Sequence, residues 1–166
     1  MEEDNLTEEQ KAIERAFDRL LDGSFVYSSN LLKMQDHWEE YSGLILDMHF
    51  SPTIVGFAKK LFAPFLKMKV IERFTAEGTA RHSTDEIISM MRNDLKAIQT
   101  YLGNKEFFFG DKPSMIDAAI FGHVAAVYFV SYSHIVKNII IAEFPIVLKY
   151  VKRMGKKYYS DFKFEN

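Results

Sequence analysis

Apolar residues recur at helical spacing along most of this chain. Ile13, Ala16, Phe17, Leu20 and Leu21 share one helix face. Ahead of them Thr7 and Gln10 form a capping box, in which each side chain satisfies a free backbone donor at the helix start. Gly23 ordinarily argues for a stop. Phe25, Val26, Leu31, Leu32 and Trp38 nevertheless continue the apolar pattern, which predicts one long or kinked helix to about Gln35. A second helix is expected from Ser51-Pro52, with proline in the first turn where its missing N–H costs nothing. Pro64 predicts its end near Phe62. A further helical run carries Phe65, Met68, Ile71 and Phe74, and Gly78 marks a turn.

The second half is more regular. Ser83 and Glu86 form another capping box, and Ile87, Ile88, Met91, Leu95, Ile98 and Leu102 follow as an amphipathic stripe that Gly103 closes. Phe107 to Pro113 reads as a tight aromatic turn. Ser114 and Asp117 form the third box, opening a helix so apolar that it is expected in the middle of a bundle. Helices from Ile135 to Ala142 and from Pro145 to near Gly155 complete the set. No convincing strand run or internal repeat is present. The fold class is therefore all-α, a bundle of about six to eight helices forming one domain over residues 1–166, with its core at about 6–162.

The caps and the loops between them carry a resemblance. The string Asp111-Lys112-Pro113-Ser114-Met115-Ile116-Asp117-Ala118-Ala119 resembles the start of the central helix in the glutathione-transferase C-terminal domain. Arg81-His82-Ser83, Asp94-Leu95, Phe108-Phe109-Gly110-Asp111 and Phe121-Gly122-His123 are similar to the failed-axon-connections, cadmium-responsive and metaxin-like branch of that superfamily. So are Leu6 to Gln10 and Phe144-Pro145. The resemblance implies a thioredoxin-like domain that holds glutathione in the transferases and is missing here. It thus implies no cofactor for the helical half by itself, and glutathione only where that other domain is supplied.

Composition narrows the chemistry. With 21 Lys and Arg against 23 Asp and Glu, the net charge of −2 gives no electrostatic case for nucleic acid. Cysteine is absent, which removes thiolate nucleophiles and Cys-based metal sites. The five histidines, His37, His49, His82, His123 and His134, include no pair at the three- or four-residue spacing of a helical zinc site. There is no nucleophile elbow and no phosphate-binding glycine loop. Catalytic and metal-binding residues are therefore expected to be none. The acidic start argues against a secretory signal, and a cytoplasmic location is expected.

Asp117 is read as the partner of Ser114 at a helix start, where loss of a cap costs on the order of 1–2 kcal/mol. Phe25, Tyr27, Trp38 and Tyr41 are the candidate apolar pocket, because the resemblance places substrate-shaping aromatics near a domain cleft. Two basic clusters stand out: Lys59, Lys60, Lys67, Lys69 and Arg73, and Lys149, Lys152, Arg153, Lys156 and Lys157. They read as solvated faces, with an acidic membrane surface as the alternative contact for the second. The expected function is non-catalytic protein interaction or self-association, through an apolar face built from the first and central helices. The alternative is the acceptor-substrate half of a glutathione-dependent transferase or stress-response enzyme.

Overall fold

A computed structural model describes residues 6–49 and 52–159, with side chains described except at 36 and 44–63. Among the described residues every extended element is a helix, with α1 at Glu8–Leu20, α2 at Val26–Asp36, α3 at Trp38–His49, α4 at Pro52–Glu77, α5 at Thr84–Leu102, α6 at Met115–Tyr128, α7 at Ile135–Glu143 and α8 at Pro145–Tyr158. The start at Ser51 lies outside them. The all-α reading holds.

A π-turn at Leu21–Phe25 joins α1 to α2 without a break. Gly23 sits inside this turn, so the chain bulges where a stop signal stood. The bulge brings Leu21 and Phe25 both to full burial. It also aims Ser24 at α5, where its hydroxyl donates to Asp94 Oδ2 at 2.6 Å.

The first helical run ends at Asp36, close to the expected end at Gln35. His37 then leaves helical geometry at φ −132°, ψ 47°, and Trp38 opens α3, a helix the sequence did not lead one to expect. One expectation fails outright: Pro64 does not end a helix near Phe62, because α4 runs through it to Glu77. Proline removes one amide and frees the carbonyl four residues earlier, a cost that falls when the site faces water. Pro64 is exposed.

From α5 onward the caps hold. Ser83 and Glu86 form their reciprocal box, and all six residues of the α5 stripe are buried. Gly103 ends α5 at φ +53°, in the region that favours glycine. Phe107 and Gly110 then exchange backbone hydrogen bonds of 2.8 and 3.0 Å, closing the aromatic turn. This turn presses Phe108 edge-on against Phe17 of α1, ring centroids 4.8 Å apart, and stacks it on Tyr101 at 4.5 Å. Helix α6 packs against α1, the π-turn, α7 and α8, and so it is the central rod.

Candidate functional site

The central helix is not buried all round. Ile116, Ile120, Phe121, Val124 and Val127 face the core, whereas Met115, Ala118, Gly122 and Ala126 form an exposed stripe along its length. The stripe lies between α1 and α8, with a cleft on each side. On the α1 side a cavity of about 260 Å³ is walled by Lys11, Glu14, Arg15 and Asp18 against Ile116 and Ala119. On the α8 side one of about 350 Å³ is lined mainly by Pro113, Phe121, Met154, Tyr158 and Tyr159. The expected apolar face of the first and central helices thus takes its apolar character from α6, while α1 presents charge.

Gly122 is the informative position on this stripe. It sits in the middle of a helix, where glycine costs about 0.5–1 kcal/mol relative to alanine. A Cβ built there meets nothing within 4 Å, so no internal contact of the fold requires glycine.

At the N-terminal end of α6 stands Asp117, wholly buried. Its Oδ2 accepts the Ser114 N–H at 2.8 Å and the Ser114 hydroxyl at 2.7 Å. Its Oδ1 accepts the Phe108 N–H at 2.7 Å and the Tyr150 hydroxyl at 2.6 Å. Four donors on two oxygens fill its acceptor positions and make it the clamp joining the aromatic turn, α6 and α8. Burial, and then the Asp117 charge, push the Tyr150 phenol far above the usual tyrosine range.

The C-terminal end of α6 is finished by side chains from elsewhere. Lys33 of α2 donates to the Ala126 carbonyl at 3.2 Å, Lys137 to Val130 at 2.9 Å, and His134 Nε2 lies 3.0 Å from the Val127 carbonyl. His134 Nδ1 accepts the Lys137 amide at 3.3 Å, so His134 also caps α7 and is the neutral Nε2–H tautomer. Burial holds its pKa at about 4 and that of Lys33 at about 8. Beside His134 the buried Tyr132 hydroxyl has no hydrogen-bond partner among the described residues, and burial pushes its pKa up to about 12. Sequence reasoning missed Lys33 and Tyr132; the flanking Leu31-Leu32 and Met34 were the available sign that Lys33 is buried.

The remaining residues singled out in the sequence fall as follows. Thr7 and Gln10 form their box. Phe25 is fully buried, Tyr27 packs edge-on against Phe74, and Trp38 lies 6.2 Å from Tyr41. The two clefts beside α6 are lined by other residues. His123 Nε2 stands 3.2 Å from Asp22, and the side chain of His49 lies outside the described residues. The described residues contain no cluster of three or more His, Asp or Glu placed to hold a metal ion. Of the basic residues on α8, Lys157 pairs with Glu106 at 2.9 Å, and Arg153 donates to the Lys105 and Glu106 carbonyls. No helix of the described residues is long and apolar enough to cross a membrane.

Comparison with known proteins fits this architecture. Residues 91–154, from within α5 into α8, match the family described as glutathione S-transferase, C-terminal domain. That helical segment is similar to the C-terminal domain of glutathione transferases. Failed axon connections of Drosophila melanogaster is 29% identical over 120 residues, 71% of this chain and 27% of that protein. Isoprene-epoxide–glutathione S-transferase of Rhodococcus sp. (strain AD45) is 26% identical over 128 residues, 73% of this chain and 52% of that protein. Human Metaxin-2 is 21% identical over 158 residues, 95% of this chain and 59% of that protein. The chain therefore spans between about a quarter and three fifths of these relatives. No solved structure matches it significantly.

Proposed function

We propose that this glutathione-transferase-like helical unit is a non-catalytic interaction domain that docks a second folded protein domain on the open stripe of α6. The observation that carries this reading is Gly122, a mid-helix glycine that nothing in its own fold requires. A partner backbone lying close against α6 accounts for it, since only glycine leaves that space free. Ala118 and Ala126 keep the rest of the stripe low, and the flanking clefts receive side chains. Similarity to Failed axon connections and Metaxin-2 supports the reading, and each of these relatives has polypeptide beyond the shared helical part. The saturated Asp117 supports it from the other direction, because the most deeply buried acid in the unit is engaged in clamping.

A photo-crosslinking residue at position 122 tests the proposal. In cell extract it should form adducts with one protein species, through peptides from a folded domain, well above those formed by the same group at exposed Ser89 of α5. Equal labelling at both positions would remove the docking face. Adducts of the chain with itself would assign the stripe to a second copy and overturn the hetero-domain reading.

The relative from Rhodococcus favours a second reading, the acceptor-substrate half of a glutathione-dependent enzyme, with Tyr27, Trp38 and Tyr41 near the substrate. The two readings part on one assay. On the first, the purified chain conjugates no glutathione to an epoxide above the uncatalysed rate; on the second it does so once a thioredoxin-like domain is supplied.

A further inference from the structure

A separate surface, on the far side of α8 from the α6 stripe, has the chemistry of an anion site. Between the end of α5 and the start of α8 lies a cavity of about 330 Å³, within the range of small-ligand pockets. Its charged lining is Lys105, Lys149 and Arg153, with no carboxylate among the lining residues, and Leu102, Ile146 and Tyr150 supply apolar wall. Several cations elsewhere on the described surface stand against acids: Lys11 with Glu8, Arg15 with Asp18, Lys69 with Glu72, Arg92 with Glu143. The three around this cavity are in no such pair among the described residues. The Lys149 side chain has no hydrogen bond or ion pair among the described residues, and the Lys105 ammonium lies over aromatic faces, 3.9 Å from the Tyr101 ring centroid, with the buried Asp117 carboxylate also acting on its charge. Glu106, the nearby acid on the connecting turn, is held by Lys157.

The other features of the cavity are fixed. Arg153 is anchored by donation to the Lys105 and Glu106 carbonyls and stays beside the cavity with the rest of its guanidinium donors in reserve. The Ile146 amide at the start of α8 is already spent on Gln99 Oε1 at 3.2 Å, so the three cations, and not the helix end, would carry recognition. Three positive groups around one small cavity, none of them in an ion pair among the described residues, match a dianion better than a single carboxylate. The apolar wall suits an organic group attached to it.

We propose that this cavity binds a phosphate monoester, with Lys105, Lys149 and Arg153 around the phosphate and Leu102, Ile146 and Tyr150 against the organic part. Soluble metabolites and lipid headgroups share that chemistry. The test is titration of the ¹⁵N-labelled chain with AMP, with adenosine as control, alongside flotation with phosphatidylcholine vesicles with and without phosphatidylinositol 4-phosphate. Saturable shifts confined to the amides of Gly103, Asn104, Lys105, Ile146 and Lys149, caused by AMP and not adenosine, are expected for a soluble source. Flotation that depends on the phosphorylated lipid is expected for a headgroup. Either response should weaken about tenfold in Lys105→Gln/Lys149→Gln, which removes two charge-assisted contacts while keeping both alkyl stems. Should that double variant melt early, Lys149→Gln alone, at an exposed position, replaces it with a smaller loss expected. No saturable shift and no lipid-dependent flotation, or a response unchanged by the substitutions, would overturn the proposal.

Discussion

At the N-terminal end of α6 a buried carboxylate, Asp117, takes four donors within 2.8 Å; at the C-terminal end a buried ammonium, Lys33, reaches one backbone carbonyl at 3.2 Å. Both groups are withdrawn from water, and desolvation penalises each charge. Only the first is answered by hydrogen bonds on every side. The second has the buried His134 near it, whose neutral ring offers no acid. The same helix is therefore clamped at one end and held at a cost at the other. A buried charge tells little about function or stability until its partners are counted.

The largest effect should come from breaking the clamp. Asp117→Ala leaves the Phe108 and Ser114 amides and the Tyr150 hydroxyl without their acceptor, and removes the helix-start carboxylate as well. Unsatisfied buried donors cost about 1–3 kcal/mol each before relaxation, so a net loss of about 3–4 kcal/mol is expected in urea melts. A loss of only about 1–2 kcal/mol would reduce Asp117 to an ordinary cap and erase the contrast between the two ends.

The cap was legible because Ser114 and Asp117 are three residues apart, and local spacing is what a sequence displays. The clamp was not. Phe108 is nine positions from Asp117 and Tyr150 is thirty-three, and nothing local announces either bond. The same division runs through the fold. The α5 stripe and its caps could be read directly, because capping box, apolar period and terminal glycine agree. Between residues 38 and 77 the signals conflict: the apolar pattern runs on to Trp38 although a new helix starts there, and Pro64 speaks for a break that an exposed position makes affordable. The open stripe on α6 was hidden for another reason. Met, Ala, Gly and Ala look apolar on paper, and only packing decides whether such residues meet a neighbour or solvent.

A middle-sized effect should appear at the other end. Lys33 has a folded pKa of about 8 against 10.5 for an unperturbed lysine. Below about pH 8 both states carry the proton and the burial penalty is fully present. Between about 8 and 10 the unfolded chain binds more proton than the folded one, so this group makes stability rise with pH. Lys33→Met, similar in length and apolar, should stabilise the chain at pH 7 by about 2 kcal/mol and flatten that rise. Chemical denaturation at pH 7, 8 and 9 reads both features. A variant less stable than wild type at pH 7 would mean that the Lys33–Ala126 bond outweighs the desolvation it requires, and that the two ends of α6 are more alike than their geometry indicates.

Two tyrosines set against each other sharpen the comparison, and one of them, Tyr132→Phe, is the smallest effect expected. Tyr150 donates to Asp117 at 2.6 Å, whereas the Tyr132 hydroxyl is buried without a partner among the described residues. Phenylalanine keeps the ring of each and removes only the oxygen. Losing a made, charge-assisted hydrogen bond should cost Tyr150→Phe about 1.5–3 kcal/mol. Losing an unmade one should leave Tyr132→Phe unchanged or more stable by up to about 1 kcal/mol, since a desolvated hydroxyl disappears with nothing to replace. Rings stay in place in both variants: Tyr132 still packs on His37 at 5.2 Å and on His134 at 5.5 Å. Opposite signs in paired urea melts are thus a direct reading of hydrogen-bond satisfaction at the two ends. If Tyr132→Phe instead destabilised the chain as much as Tyr150→Phe, the Tyr132 hydroxyl would have an acceptor, an ordered water included, and the C-terminal end of α6 would be as fully satisfied as the clamp.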